Sequence, residues 1–260
     1  MATHSYPGLL ARGAGAGAIA GVAAGMVSLF VVETQIRAAL AVEEARNAGA
    51  VGHEEMFSRG VQVVGGVAAV VVVGIALGAV FATAFAAVHR HLPGGSDFGR
   101  SVALAAVGFA AVGLLPAIKY PANPPGVGQA ETVNDRTVLY FSLILGGLII
   151  AYGVGRLHGL LAARTSWPAP WRATAVAAAA AAAVIAVLLV WPAGPDAVPP
   201  DVPATLLWRF RLASLAEVLT LWAVLGVAFG LLTEAPKSGR GAEAGNPDPV
   251  RGDYQGRGLR

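Results

Sequence analysis

The sequence predicts an all-α membrane protein, a bundle of about six transmembrane helices with a Pro-rich extended external loop. Three observations predict it. Of the 260 residues, 13% are charged and 56% hydrophobic; a soluble domain carries roughly 25% charge, so too little polar surface is left to coat a water-soluble globule. The apolar residues come in uncharged runs of about twenty, the length that crosses ~30 Å of hydrocarbon as a helix. The charges fall between those runs. Net charge is +3, but the 18 Lys and Arg are scattered and form no basic face, which argues against nucleic acid as a partner. Cysteine is absent. Disulfides, thiolate metal sites and cysteine nucleophiles are thereby excluded, and any cation site must use oxygen and imidazole donors.

The first run covers 13–32 and carries Gly13, Gly17, Gly21 and Gly25 along one stripe, a face that admits close approach of another backbone. Ala39-Leu40-Ala41 looks like a signal-peptide cleavage site but lies behind Glu33 and Arg37, so the run is read as a retained span. Steps of 100° bring Glu33, Arg37 and Glu44 to within about 40° of one azimuth. The helix is therefore expected to continue past the outer membrane surface with a charged stripe. That stripe reads either as a solvated face or as an acidic vestibule for cations, with Glu33 nearest the membrane and His53, Glu54 and Glu55 as outer ligands. The second run, 62–88, repeats the glycine spacing at Gly74 and Gly78 and ends before His89 and His91, which point apart at i, i+2. The third run covers 101–118.

Between the third and fourth runs come Lys119, Tyr120, Pro121, Asn123, Pro124 and Pro125. Three prolines within five residues remove three backbone donors and favour an extended, rigid segment. Asp135 is expected to cap the fourth helix, with Arg136 and Thr137 in its first turn; alternatively Asn123 and Asp135 line an outer mouth. The fourth run spans 137–157, and the fifth, 173–192, is almost an alanine tract from Ala173 to Ala183. So weakly lipophilic a helix is expected to be sheltered by other helices. Trp208, Arg209 and Arg211 precede the sixth run, 212–232, and read as interface anchors. Glu217 lies five residues inside that run. A carboxylate there is expensive and faces the bundle interior, a partner or water, so it is either an ion ligand or half of a structural pair with Arg209 or Arg211. Gly226 and Gly230 repeat the small-residue spacing. Residues 1–234 form the membrane domain; 235–260, rich in Gly, Pro and charge, are expected to be a disordered cytoplasmic tail.

Six spans put both termini on one side. With the termini cytoplasmic, the inner segments hold eleven basic residues (Arg12, Arg90, Arg100, Arg156, Arg164, Arg172, Lys237, Arg240, Arg251, Arg257 and Arg260). The outer segments hold seven: Arg37, Arg46, Arg59, Lys119, Arg136, Arg209 and Arg211. The positive-inside rule favours that orientation, and it makes the outer face the acidic one. No P-loop, dinucleotide fingerprint or His-Glu-x-x-His motif occurs, so neither an ATP engine nor a hydrolase centre is expected.

An ordered set of motifs is more specific than any one of them. Glu33 is followed by Glu43-Glu44-Ala45, then Ser58-Arg59-Gly60-Val61-Gln62 and Lys119-Tyr120-Pro121-Ala122-Asn123-Pro124-Pro125. Asp135-Arg136-Thr137-Val138-Leu139-Tyr140 and Leu207-Trp208-Arg209-Phe210-Arg211-Leu212-Ala213-Ser214 complete it. Together these resemble the CbtA family of cobalt transporter subunits, from the first span to about residue 233. The resemblance implies a subunit of cobalt uptake linked to cobalamin synthesis in the inner (plasma) membrane. It implies Co²⁺ as cargo, no permanently bound cofactor, no enzyme activity and a small one-span, histidine-bearing CbtB-like partner. The glycine stripes also fit a homo-oligomer, or a non-transporting scaffold that docks a partner subunit. The family often has Pro after the position of Glu33; Thr34 here lets the helix run on.

Overall fold

The computed structural model describes residues 5–46 and 57–234. Among them are six helices long and apolar enough to cross a membrane: α1 (Tyr6–Arg46), α2 (Arg59–His91), α3 (Asp97–Lys119), α4 (Val133–Arg164), α5 (Ala169–Val190) and α6 (Ala204–Thr233). No strand occurs among the described residues. The expected spans are all present. Most are longer than their apolar runs, because flanking polar residues continue the helical backbone.

Local chemistry sets the ends. The Ser5 hydroxyl accepts from the Gly8 amide and Pro7 sits in the first turn of α1, where its missing N–H is no loss. The Ser96 hydroxyl accepts from Gly99 at the start of α3. α4 begins at Val133, so Asp135 lies inside the first turn and is not the cap. There its charge complements the exposed amides of the helix start. The Pro-rich connection turns at Pro124-Pro125-Gly126-Val127, where the Val127 amide bonds Pro124 O at 3.2 Å and Gly126 has φ +75°. This is a type II turn with Pro at its second position and Gly at the third, as its backbone angles require.

Packing follows the order α2, α1, α6, α3, α4, α5. The glycine stripe of α1 lies directly against α2. A Cβ built on Gly17 would sit 2.9 Å from the Gly74 carbonyl carbon, and one on Gly74 would sit 2.8 Å from Gly21 Cα. α6 approaches α3 similarly: a Cβ on Gly230 would meet the Phe98 ring at 2.8 Å, and the buried Ser101 hydroxyl donates to Gly226 O at 2.7 Å. Where the four helices meet, Phe81 and Phe85 of α2 pack edge-on against Phe229 with centroids 5.3 and 5.2 Å apart, and Trp222 and Leu225 complete the core. α4 leans on α3 at Gly147, and α5 packs on α4.

The alanine-rich α5 is not sheltered. It has no buried residue, and Leu189 and Val190 are 78% and 82% exposed. The outer surfaces of α2 and α4 are equally apolar, with Val64, Val72, Val80, Phe141 and Tyr152 exposed. In water such surfaces would drive aggregation; in hydrocarbon they are ordinary solvent contacts.

Two helices depart from α geometry inside the bundle. α1 has a π-turn at Ser28–Val32, where the Glu33 amide reaches back to Ser28 O. α3 has one at Phe109–Leu114, just before Pro116, whose ring and missing donor crowd the preceding turn. α1 nonetheless runs on through Thr34 to Arg46.

Gly17→Val should force α1 from α2, lowering stability by roughly 1–3 kcal/mol or more. Gly15→Ala, which meets nothing within 4 Å, should be neutral or stabilising. Thermal unfolding of the two purified variants checks the contrast.

Candidate functional site

The chemistry-bearing side chains gather on the bundle end opposite the termini, hereafter the loop face. At its edge, Glu33 is buried where the C-terminal half of α1 meets the start of α2. Arg59 grips it with both ends of its fork: Nε donates to Oε1 at 3.1 Å and Nη2 donates to Oε2. Arg37, one turn along α1, donates Nε to Oε1 at 2.8 Å. Arg59 also donates Nη1 to Gln62 Oε1 at 2.9 Å, and Gln62 donates to Phe57 O at 3.0 Å. A carboxylate taken out of water needs such charge-assisted donors. Both Glu33 oxygens are thereby occupied by guanidinium.

A second network closes the middle of the loop face. Arg46, at the end of α1, donates Nε to Asp201 Oδ2 at 2.7 Å and Nη1 to Gly126 O at 3.1 Å, joining the loops after α3 and α5 to α1. The guanidinium holds the Asp201 carboxyl below its ordinary 3.8. The tie is therefore complete at neutral pH and is lost only as pH falls below that value. Pro124 is fully buried, beside Ala39, Val42 and Leu206. Lys119 Nζ donates to Leu188 O at 2.9 Å and the Tyr120 hydroxyl to Pro192 O at 2.8 Å, so both hold the C-terminal end of α5. Burial pushes the Tyr120 phenol up, which keeps it a donor. Arg136 pairs with Asp196 at 3.1 Å and donates to Gln129 O at 3.0 Å, while Thr132 donates to Asp196 at 2.7 Å. Arg211 donates to Asn123 Oδ1 at 3.1 Å.

Glu217 lies deeper. It is half-buried in α6 and faces the hydroxyl of Ser28, the first residue of the π-turn of α1. Neither arginine of the sequence reading pairs with it. Arg211 is engaged by Asn123 and Arg209 is exposed.

Among the described residues, no three His, Asp or Glu side chains converge to hold a metal ion. Glu44 is exposed on an open groove of about 580 Å³, with Arg37 and Arg59 on its other walls. Asp135 is exposed on α4, and Asn123 is occupied by Arg211. Glu33, Glu44, Asn123, Asp135 and Glu217 therefore occupy separate places, and His53 and Glu54 lie outside the described residues. Trp208 is 63% exposed, and Tyr140 meets the edge of Phe141 at 6.3 Å. Sequence reasoning missed three partners: Arg59 for Glu33, Asp196 for Arg136 and Ser28 for Glu217. Only the last left a signal, because Ser28 is the one polar side chain in the run 13–32.

The family model of the probable cobalt transporter subunit (CbtA) matches residues 7–234, which takes in all six spans. No curated protein and no solved structure matches the chain. The chain belongs to the CbtA family.

Arg59→Gln should cost roughly 1.5–3 kcal/mol, because a buried carboxylate loses its two-pronged donor. Arg59→Lys should recover only part of that, since a single ammonium does not match both oxygens. Asp201→Asn, at an exposed tie, should leave the unfolding midpoint unchanged. Melting curves of the three variants give the ranking.

Proposed function

We propose that this CbtA-family member is the membrane subunit through which Co²⁺ enters the cell, in an uptake system that serves cobalamin synthesis. The observation that carries the reading is the family match across all six spans. On this reading the protein sits in the inner (plasma) membrane with both termini cytoplasmic, as the excess of Lys and Arg on the termini side favours. The loop face then meets the outside. Glu44 and Asp135 are exposed there and serve as first capture points, with Glu33 on the same face and His53 and Glu54 following Glu44 in the sequence. Carboxylates and imidazole suit a borderline divalent ion in a chain without thiolates. Asn123 belongs to the loop that roofs the mouth, and Glu217 is the carboxylate an entering ion meets next. No covalent chemistry is required of the chain.

A second reading is favoured by one observation. α5 packs on α4 alone and has no buried residue, so its other faces suit a surface that docks a one-span CbtB-like subunit, a second copy or a separate transporter. As such a scaffold the chain would pass no ion itself. Purified chain in liposomes separates the two: Co²⁺ entry above empty vesicles supports the channel or carrier, and none supports the scaffold.

Metal-depleted cells producing the chain should accumulate Co²⁺ faster than cells without it. Glu44→Gln combined with Asp135→Asn should raise the half-saturating Co²⁺ concentration by roughly tenfold at low salt and less at high salt. Competition with Ni²⁺, Mg²⁺ and Zn²⁺ in the same assay reads the selectivity. Unchanged accumulation with and without the chain would contradict the proposal.

A further inference from the structure

The α4–α5 hairpin carries charge of a single sign. Between Asp135 and Asp196 the sequence has no Asp or Glu, yet it holds Arg136, Arg156, His158, Arg164 and Arg172. Arg136 belongs to the loop face, where Asp196 pairs with it at 3.1 Å. The other four lie toward the opposite end, on the termini side. Among the described residues, Arg156 and Arg164 have no hydrogen-bond or ion-pair partner. Arg172 donates Nη1 to Trp167 O at 2.9 Å, a neutral acceptor that leaves its charge in place. The carboxylates that the described helices bring to that side are engaged: Asp97 pairs with Arg100 at 3.3 Å, and Glu234 accepts from the Phe98 amide at 2.9 Å.

Helix geometry sets their depth. On α4 the stretch 137–155 has no Asp, Glu, Lys, Arg or His and measures about 28 Å as a helix. On α5 the stretch 173–190 has none either and measures about 27 Å. Each matches the ~30 Å hydrocarbon layer, so Arg156 and Arg172 stand at its border. Trp167 and Trp171 are exposed next to Arg172, and indole rings favour that headgroup level. Steps of 100° put Leu145, Ile149, Tyr152 and Leu160 within about 40° of Arg156, and this whole stripe is exposed. An apolar strip thus runs along α4 into the hydrocarbon from a guanidinium that no protein carboxylate meets.

A guanidinium at the edge of hydrocarbon is costly without an anion. The bilayer supplies one at that level, the lipid phosphate, whose oxygens a planar fork matches. Basic side chains of one sign select a headgroup with net negative charge over a zwitterionic one, because they repel an attached ammonium. We propose that the termini-side end of the α4–α5 hairpin binds an anionic phospholipid of the phosphatidylglycerol type. Its phosphate sits on Arg156, the field of Arg164 and Arg172 selects its charge, and an acyl chain lies along Tyr152, Ile149 and Leu145. The site does not depend on metal transport and stands even if the chain passes no ion. Arginines of the loop face fasten helices to loops; these fasten the hairpin to one leaflet.

The test uses the full chain in detergent micelles, with native mass spectrometry reading retained lipid. Dioleoylphosphatidylglycerol should be retained at several-fold lower concentration than dioleoylphosphatidylcholine. Arg156→Gln combined with Arg164→Gln should weaken phosphatidylglycerol retention by about fivefold for each charge removed and leave phosphatidylcholine retention unchanged. Arg156→Lys, which keeps the charge, should preserve most of the preference, and Arg209→Gln, on the loop face, should alter neither lipid. In vesicles of phosphatidylcholine with a minor share of phosphatidylglycerol, wild-type chain should cross-link a phosphatidylglycerol bearing an acyl-chain diazirine chiefly within residues 145–160. Equal retention of the two lipids, a double variant that binds as wild type does, or cross-links spread evenly over the six helices overturns the proposal. Glycerol phosphate that displaces the lipid at equal concentration would reveal a site for soluble anions. Cross-linking of that stretch of α4 to a second copy or another protein in native membranes would put protein there, and either result also overturns it.

Discussion

The close approach of α1 to its two neighbours is the constraint on which the rest of the structure depends. In lipid, helices gain nothing by merely hiding apolar side chains, so association relies on close packing and on polar groups that find each other. Gly13, Gly17 and Gly21 bring the α1 backbone onto Gly74 and Gly78, while α6 packs on its other side. That placement carries the C-terminal half of α1 past the start of α2, where Arg59 reaches Glu33. It also presents Ser28 to Glu217. With bulkier residues in the stripe, neither polar pair would meet.

Polar groups on the loop face are spent mostly on architecture. Arg46, Lys119, Tyr120, Arg136 and Arg211 each hold a loop or a helix end, and Pro124 fills the space beneath. The distinctive motifs of the chain are thus largely the fastenings of the loop face. What these ties leave over are the carboxylates of Glu44 and Asp135, exposed on the rim, and that of Glu217, half-buried below. α4 and α5 stand apart from this core, with α5 held by one helix and two carbonyl contacts.

Much of this was legible in the sequence, for identifiable reasons. Helices in hydrocarbon are announced by length and hydropathy alone, so all six spans could be placed. The four-residue glycine spacing located the tight faces because helical geometry puts those residues in one line. The start of α4 was misjudged because Asp135 suits both a cap and a first turn, and only backbone angles separate them. The alanine tract was misjudged because composition says how lipophilic a helix is, not which neighbours it has. Pairings such as Arg59 with Glu33, or Ser28 with Glu217, join distant segments and depend on helix rotation. The π-turn that aims Ser28 has no sequence pattern of its own.

The central claim is that α1 lies against α6 so that an apolar cluster closes over the Ser28 and Glu217 pair. A chain free of cysteine allows a direct measurement, oxidative cross-linking of cysteine pairs in intact membranes read by mass spectrometry. Val32→Cys with Ala213→Cys should cross-link within one chain, because both residues belong to that cluster. Val31→Cys with Ala213→Cys should not, since Val31 is exposed and turned about 100° away. Failure of the first pair, or equal yields from both, would contradict the account.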